Sequence, residues 1–211
     1  MRCRFCLLLV RLSWLLPAVL LLAAQLKGQQ PPTMSLLHDE DIPLARKVLI
    51  APIALFQRVS YATPLLDCPF EPSCSQYMAE AVVRHGALPG VIIGADRLVR
   101  CNPWAFHYHL RDHPEPFHID GRLLDPVPEE RKPWEWKAAG ALAIVPGLGR
   151  ARAGRPGDGI VSFLMVASLA TSAYRLHLDG KQIRAGFMGG LSIIFWLADL
   201  RSSTVNHARK P

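Results

Sequence analysis

Two apolar stretches near the carboxyl end, residues 160–174 and 185–200, constrain this 211-residue chain more than any other feature. With a third apolar run at the amino end they enclose a polar middle, a pattern that argues against one soluble globule. Sixteen helical residues reach about 24 Å against a hydrocarbon core of about 30 Å, so each stretch needs roughly one more turn to cross a bilayer. The flanks permit it: Asp158-Gly159 precedes the first, and Gln182-Ile183 precedes the second with Arg184 placed to snorkel. Spans over about 158–176 and 183–200 are expected inside a hydrophobic carboxyl-terminal region, 129–211. Gly186 and Gly190 form a GxxxG and Ser168 and Ser172 a small-residue stripe, so the two helices are expected to pack as a tight hairpin on those faces. A soluble helical core is the competing reading.

The amino-terminal run carries Arg2 and Arg4, then apolar residues through Ala24, broken by Arg11 and Pro17. It reads as a signal peptide or amino-terminal anchor over residues 1–28, with Ala23 and Ala24 giving small residues for cleavage. Residues 29–44 read as a polar, proline-bearing linker. The formal net charge of +7 suits an anionic partner. With no RNA-binding aromatic motif and no zinc-finger spacing, anionic lipid is the expected partner and nucleic acid is not.

Between linker and hairpin, residues 45–60 read as an amphipathic helix. Val48, Pro52, Leu55, Phe56 and Val59 share one face; Arg46, Lys47 and Arg58 can reach water or phosphate, and Pro52 should kink the helix. Core packing and a bilayer surface fit that pattern equally well. Ser73-Cys-Ser-Gln76 matches a capping box, which predicts a helix from Cys74 through Tyr77, Ala81 and Val82 to Arg84 or His85, with Gly86 as a left-handed terminator. Pro89 suits the first turn of a second helix through Val91, Ile92, Ala95, Leu98 and Val99, closed by Asn102-Pro103. Gly90 and Gly94 give it a smooth stripe for close approach, and Arg97 and Arg100 are expected to extend from it as contacts for a partner or lipid.

Phe56-Gln57, Thr63-Pro64-Leu65-Leu66, Cys68-Pro-Phe-Glu-Pro-Ser-Cys74-Ser-Gln-Tyr77 and Arg84-His85-Gly86 follow in fixed order. Gly90, Arg97-Leu-Val-Arg-Cys101-Asn-Pro-Trp104 and Asp125-Pro126-Val127-Pro128 complete the set. In this the chain resembles the YidD family of membrane protein insertion efficiency factors, over a domain at residues 45–128. The resemblance implies an all-α protein at the bacterial inner membrane, on its cytosolic face. It would assist insertion or folding of integral membrane proteins near the insertase or translocon, without catalysis. The motif residues Cys68, Cys74, Tyr77, Gly86, Gly90, Cys101, Asp125, Pro126 and Pro128 are then structural. Three departures stand out: Pro69 where the family has a basic residue, the leader, and an insert at 105–124 carrying His107, His109, His113 and His118 with Asp112, Glu115 and Asp120.

Of the five cysteines, Cys3 and Cys6 fall in the leader, leaving three. Export would pair two of them and leave a thiol over; a cytosolic domain would keep all reduced. Cys68, Cys74 and Cys101 with an insert histidine could form a Cys3His zinc site, but the spacing is not that of a finger, and the expectation is packed or paired cysteines with no metal or cofactor. Cys74, with no orienting carboxylate legible beside it, is not read as a nucleophile. A metal- or redox-responsive envelope protein and a membrane-perturbing protein are the alternative functions. Topology signals conflict. The leader favours export, whereas Arg131, Lys132, Lys137, Arg150, Arg152, Arg155, Arg201, Arg209 and Lys210 flank the hairpin against Arg175, Lys181 and Arg184 in its turn, which favours a cytosol-facing middle domain.

Overall fold

The computed structural model describes residues 32–61, 68–112, 117–130 and 141–205. The expected leader, Thr63-Pro64-Leu65-Leu66, His113, Glu115, Arg131, Lys132, Lys137, Arg209 and Lys210 lie outside the described residues. The chain divides into two compact units, Met1–Asp67 and Cys68–Pro211.

In the first unit, helix α1 (Pro32–His38) packs on α2 (Leu44–Ser60). The expected linker therefore holds a helix. Pro32 suits its first position, where the missing amide has no helical partner to lose, and the Thr33 amide donates to Gln57 Oε1 at 3.2 Å. Buried Gln57, Ile50 and Ala54 define the face that α2 turns toward α1. Pro52 lies inside α2, which continues on both sides of it. Val48, Leu55, Phe56 and Val59, the apolar face read from the sequence, are instead more than half exposed, as is Leu44.

The second unit begins with strand β1 (Phe70–Glu71), then α3 (Cys74–His85), α4 (Ala87–Arg100) and α5 (Ala105–Asp112). Strand β2 (Leu123–Leu124) pairs parallel with β1, through Leu123 N–H to Pro69 O at 2.8 Å and Asp125 N–H to Glu71 O at 2.9 Å. A short helix α6 (Leu148–Arg152) leads to the long pair α7 (Pro156–Leu178) and α8 (Gln182–Val205). The two paired dipeptides leave the fold all-α in character.

Helix α3 starts where the capping box places it, with Ser73 Oγ accepting from the Gln76 amide at 3.4 Å. Gly86 ends α3 and opens α4 at φ 91 and ψ 173, a glycine-only conformation more extended than the left-handed one expected. This abrupt reversal lays α4 against α3. A Cβ on Gly90 would fall 2.4 Å from Val82 Cα, so the two backbones touch at that point. Tyr77, Ala81, Ile93 and Val127 close a small core beside the contact.

The opposite face of α4 packs on the hairpin: Ile92, Ala95 and Val99 meet Phe195 and Ala198, with Val161, Met165 and Leu197 around them. Burying each large apolar side chain contributes about 1.5–3 kcal/mol, so this seam fixes domain to hairpin firmly. Helices α7 and α8, of 23 and 24 residues, reach about 35 Å each, enough to cross a bilayer. Their most apolar windows are only 17% and 33% buried, unlike core helices of a soluble protein. Ile160, Phe163, Leu164, Ile183, Phe187 and Ile193 all stand exposed along them. The GxxxG does not join the pair. A Cβ at Gly186 or Gly190 would meet nothing within 4 Å, Ser168 is exposed, and Ser192 Oγ instead donates to Val166 O across the helices at 3.1 Å.

We predict that Gly90→Ala lowers the stability of the full chain by about 1–3 kcal/mol, since its Cβ has no room against α3. Gly186→Ala, facing open space, should leave the denaturant midpoint unchanged or slightly raised. Equal midpoints for the two variants would remove the close-contact argument.

Candidate functional site

The family motifs converge on one buried centre built around two arginines of α4. Their spacing put Arg97 and Arg100 on an exposed face; Arg97 is instead wholly buried and Arg100 nearly so. The reason is local. Arg97 lies over the Phe70 ring at 3.6 Å and within 5.3 Å of the Tyr77 ring, and its Nε approaches Asp125 Oδ2 at 3.4 Å. Arg100 Nη1 donates to that same carboxylate oxygen, while its Nε donates to Asp96 Oδ2 at 3.1 Å. The long side chains bury their stems against α3 and β1 and carry their charges to acids that a residue count cannot place. Neither arginine is available as a surface contact.

Asp125 reaches that position because its segment docks on the end of α3. Arg84 Nη1 donates to Val127 O at 3.1 Å, and the His85 ring meets Pro128 O at 2.9 Å, so Arg84-His85 holds the Asp-Pro-Val-Pro backbone in register. Val127 is buried and Pro126 exposed. Burial alone would push the Asp125 carboxyl up, but the Arg100 and Arg97 charges overcome it and hold it below the usual carboxylate range. Asp96 is held low in the same way, with burial opposed by Arg150 and then Arg100.

Arg150 reads from the sequence only as one of the basic residues flanking the hairpin. It is almost fully buried and pairs with Asp96 Oδ1 and Asp199 Oδ1, each at 2.7 Å. Asp199 also accepts from the Gly147 amide and the Ser162 hydroxyl, at 3.0 and 2.9 Å. Next to it Arg155 pairs with Asp158, packs over the Tyr108 ring at 4.5 Å, and Asn102 donates to Asp158. The available signal was two aspartates, Asp158 and Asp199, at the margins of otherwise apolar segments, where an acid demands a partner.

The three sulfurs of Cys68, Cys74 and Cys101 lie within 4.8 Å of one another. The described insert histidines stand apart from them: His109 is buried with its ring edge on Phe70 and Nε2 against Leu124 O at 2.9 Å, and His118 faces Asp120. Burial lowers the His109 pKa, so its imidazole is neutral near pH 7. Arg46, Lys47 and Arg58 belong to α2 in the other unit. At helical spacing Lys47 and Arg58 border the exposed Val48, Leu55 and Val59 stripe, and Arg46 falls on the far side.

Asp125→Asn keeps the shape but strips the charge from between Arg97 and Arg100, and should cost about 3–5 kcal/mol in chemical denaturation. Because Asp96 and Asp125 are depressed in the folded state, the unfolded chain takes up their protons first as pH falls. Their contribution is therefore complete above the ordinary aspartate value of about 4 and is lost below it. Stability should fall gently below about pH 7, as the unfolded chain protonates the histidine that stays neutral in the fold, and steeply below about pH 4, with a shallower acid fall in Asp125→Asn; identical profiles below pH 4 would refute this account of the centre.

The YidD family profile, described as "Putative membrane protein insertion efficiency factor", matches residues 45–109. A protein of that name from Anaeromyxobacter sp. (strain Fw109-5) is 40% identical over 91 residues, which are 42% of this chain and 100% of the relative. One from Oleidesulfovibrio alaskensis is 39% identical over 88 residues, 41% of this chain and 83% of the relative. No solved structure matches. With the whole length of a relative covered at that identity, this chain belongs to the YidD family, and the long helix pair extends beyond the part it shares with that relative.

Proposed function

We propose that this protein is an accessory of integral membrane protein insertion that carries its own membrane anchor. The observation behind this reading is the join between the family domain and the hairpin. Helix α4 shares an apolar core with α8, and the pairs Asp96–Arg150 and Arg150–Asp199 lock α6, which leads into α7, and the end of α8 onto the same domain. Both hairpin ends therefore lie on the domain's side, and the exposed apolar flanks of α7 and α8 suit lipid. The names of the relatives supply the process, insertion of membrane proteins.

In this reading the working parts are surfaces that act at the bacterial inner membrane. Helix α2 offers the exposed stripe of Val48, Leu55 and Val59 with Lys47 and Arg58 beside it and Arg46 behind, a composition suited to an anionic bilayer surface or to an apolar client segment leaving the insertase or translocon. No step calls for a nucleophile or a proton transfer, so the protein acts as a non-enzymatic scaffold. The basic flanks of the hairpin favour a cytosolic domain.

Cells lacking this protein should insert a pulse-labelled polytopic client more slowly, by protease accessibility, and wild-type protein should restore the rate. Lys47→Glu with Arg58→Glu should accumulate normally yet restore it only in part, since a partly exposed and an exposed charge at a helix surface cost little stability but weigh on an anionic interface. Full restoration would dismiss α2 as a working surface. For topology, a reporter active only outside the cytosol should stay silent when fused after Pro128 and after Pro211. Strong activity at Pro128, together with a new amino terminus near Gln25, would reverse the assigned side.

A further inference from the structure

We propose that Cys68, Cys74 and Cys101 bind one zinc ion as a three-thiolate site whose fourth position is open to solvent. The case does not depend on the role in insertion. Three elements supply the sulfurs: the loop before β1, the first residue of α3 six positions on, and, from the far end of the next helix, the residue that caps α4. Their sulfurs lie within 4.8 Å of one another, and those of Cys68 and Cys74 are 3.5 Å apart. Zinc–thiolate bonds of about 2.3 Å in tetrahedral geometry put sulfurs about 3.8 Å apart, so the triangle has nearly the size a bound ion requires. Simple core packing of cysteines calls for no such mutual approach.

The surroundings suit thiolates. The Cys74 backbone amide points at the Cys68 sulfur at 3.4 Å, and Cys74 itself stands at the positive end of a twelve-residue helix. The fully buried Arg97 lies beside the cluster, and its Nη1 has no hydrogen-bond partner among the described residues. A divalent ion on three thiolates leaves one net negative charge for Arg97 and the helix end to balance. A cuprous ion would leave two. That difference favours a divalent over a monovalent thiophilic ion, and tetrahedral sulfur coordination is characteristic of zinc among the divalent ions. Cys68 and Cys101 are only partly buried, which gives the ion an entry path and a site for water as the fourth ligand.

The test uses full-length protein purified in detergent under reducing conditions without chelator. Native mass spectrometry should find one zinc per chain. Cobalt(II) added to the stripped protein should give the intense thiolate-to-metal charge-transfer and tetrahedral ligand-field bands of a sulfur-rich site, and zinc should bleach them. Cys101→Ser, at a partly exposed position, should lose bound zinc and the charge-transfer band while keeping its helical circular dichroism. The cobalt spectrum of the wild-type chain decides the matter if that variant fails to fold. A reduced chain that takes neither metal would overturn the proposal, and so would a disulfide between two of Cys68, Cys74 and Cys101, mapped by peptide mass spectrometry in protein purified without reductant. Zinc retained at full occupancy in Cys101→Ser would place the ion elsewhere, and stoichiometric displacement of zinc by cuprous ion at equal concentration would assign the site to copper.

Discussion

Asp96 is the group on which both halves of the second unit depend. One of its oxygens takes Arg100, which continues through Asp125 to Arg97 and the cysteine-bearing loop; the other takes Arg150, which continues to Asp199 at the end of α8. A carboxylate this deeply buried is costly unless several cations surround it, and a buried arginine is costly unless acids do. Each charge is therefore tolerable only when the others are in place. Domain and hairpin cannot separate without leaving at least one of them alone in an apolar interior.

This arrangement explains why the family motifs are scattered along the sequence. Asp125-Pro-Val-Pro, Arg84-His85 and Arg97-Leu-Val-Arg each complete a piece of one network: the second grips the backbone of the first, and the first supplies the acid for the third. Tyr77 and Phe70 add flat apolar surfaces over which the Arg97 guanidinium lies. Gly90 lets α3 and α4 approach closely enough for these side chains to meet. Among the described residues of the 105–124 insert, His109 turns inward against Phe70 and Leu124 and Tyr108 reaches Arg155.

Within the second unit, the core shared by α4 and α8 and the buried ion pairs hold α3 and α4 in one position relative to the hairpin ends.

Local order was legible in the amino-acid sequence because it depends on neighbours in the chain. The Ser73 cap, the reversal at Gly86, the closure after Arg100 and the two long apolar helices all follow from residues within a turn or two of one another. Faces were not legible, because a helix with two apolar stripes does not say which one is covered. Helix α2 buries Ile50 and Ala54 and leaves Val48 and Leu55 out, and α8 leaves its GxxxG unpaired. Charge was the hardest to place. Arg97 and Arg100 have the spacing of a solvated edge, and only partners 25 or more residues away, Asp125 for both and Asp199 for Arg150, decide that these guanidinium groups are buried. The cysteine triangle has the same origin: Cys74 and Cys101 stand on successive helices, and their distance is set by how tightly those helices pack at Gly90, a quantity that exists only once the chain has folded.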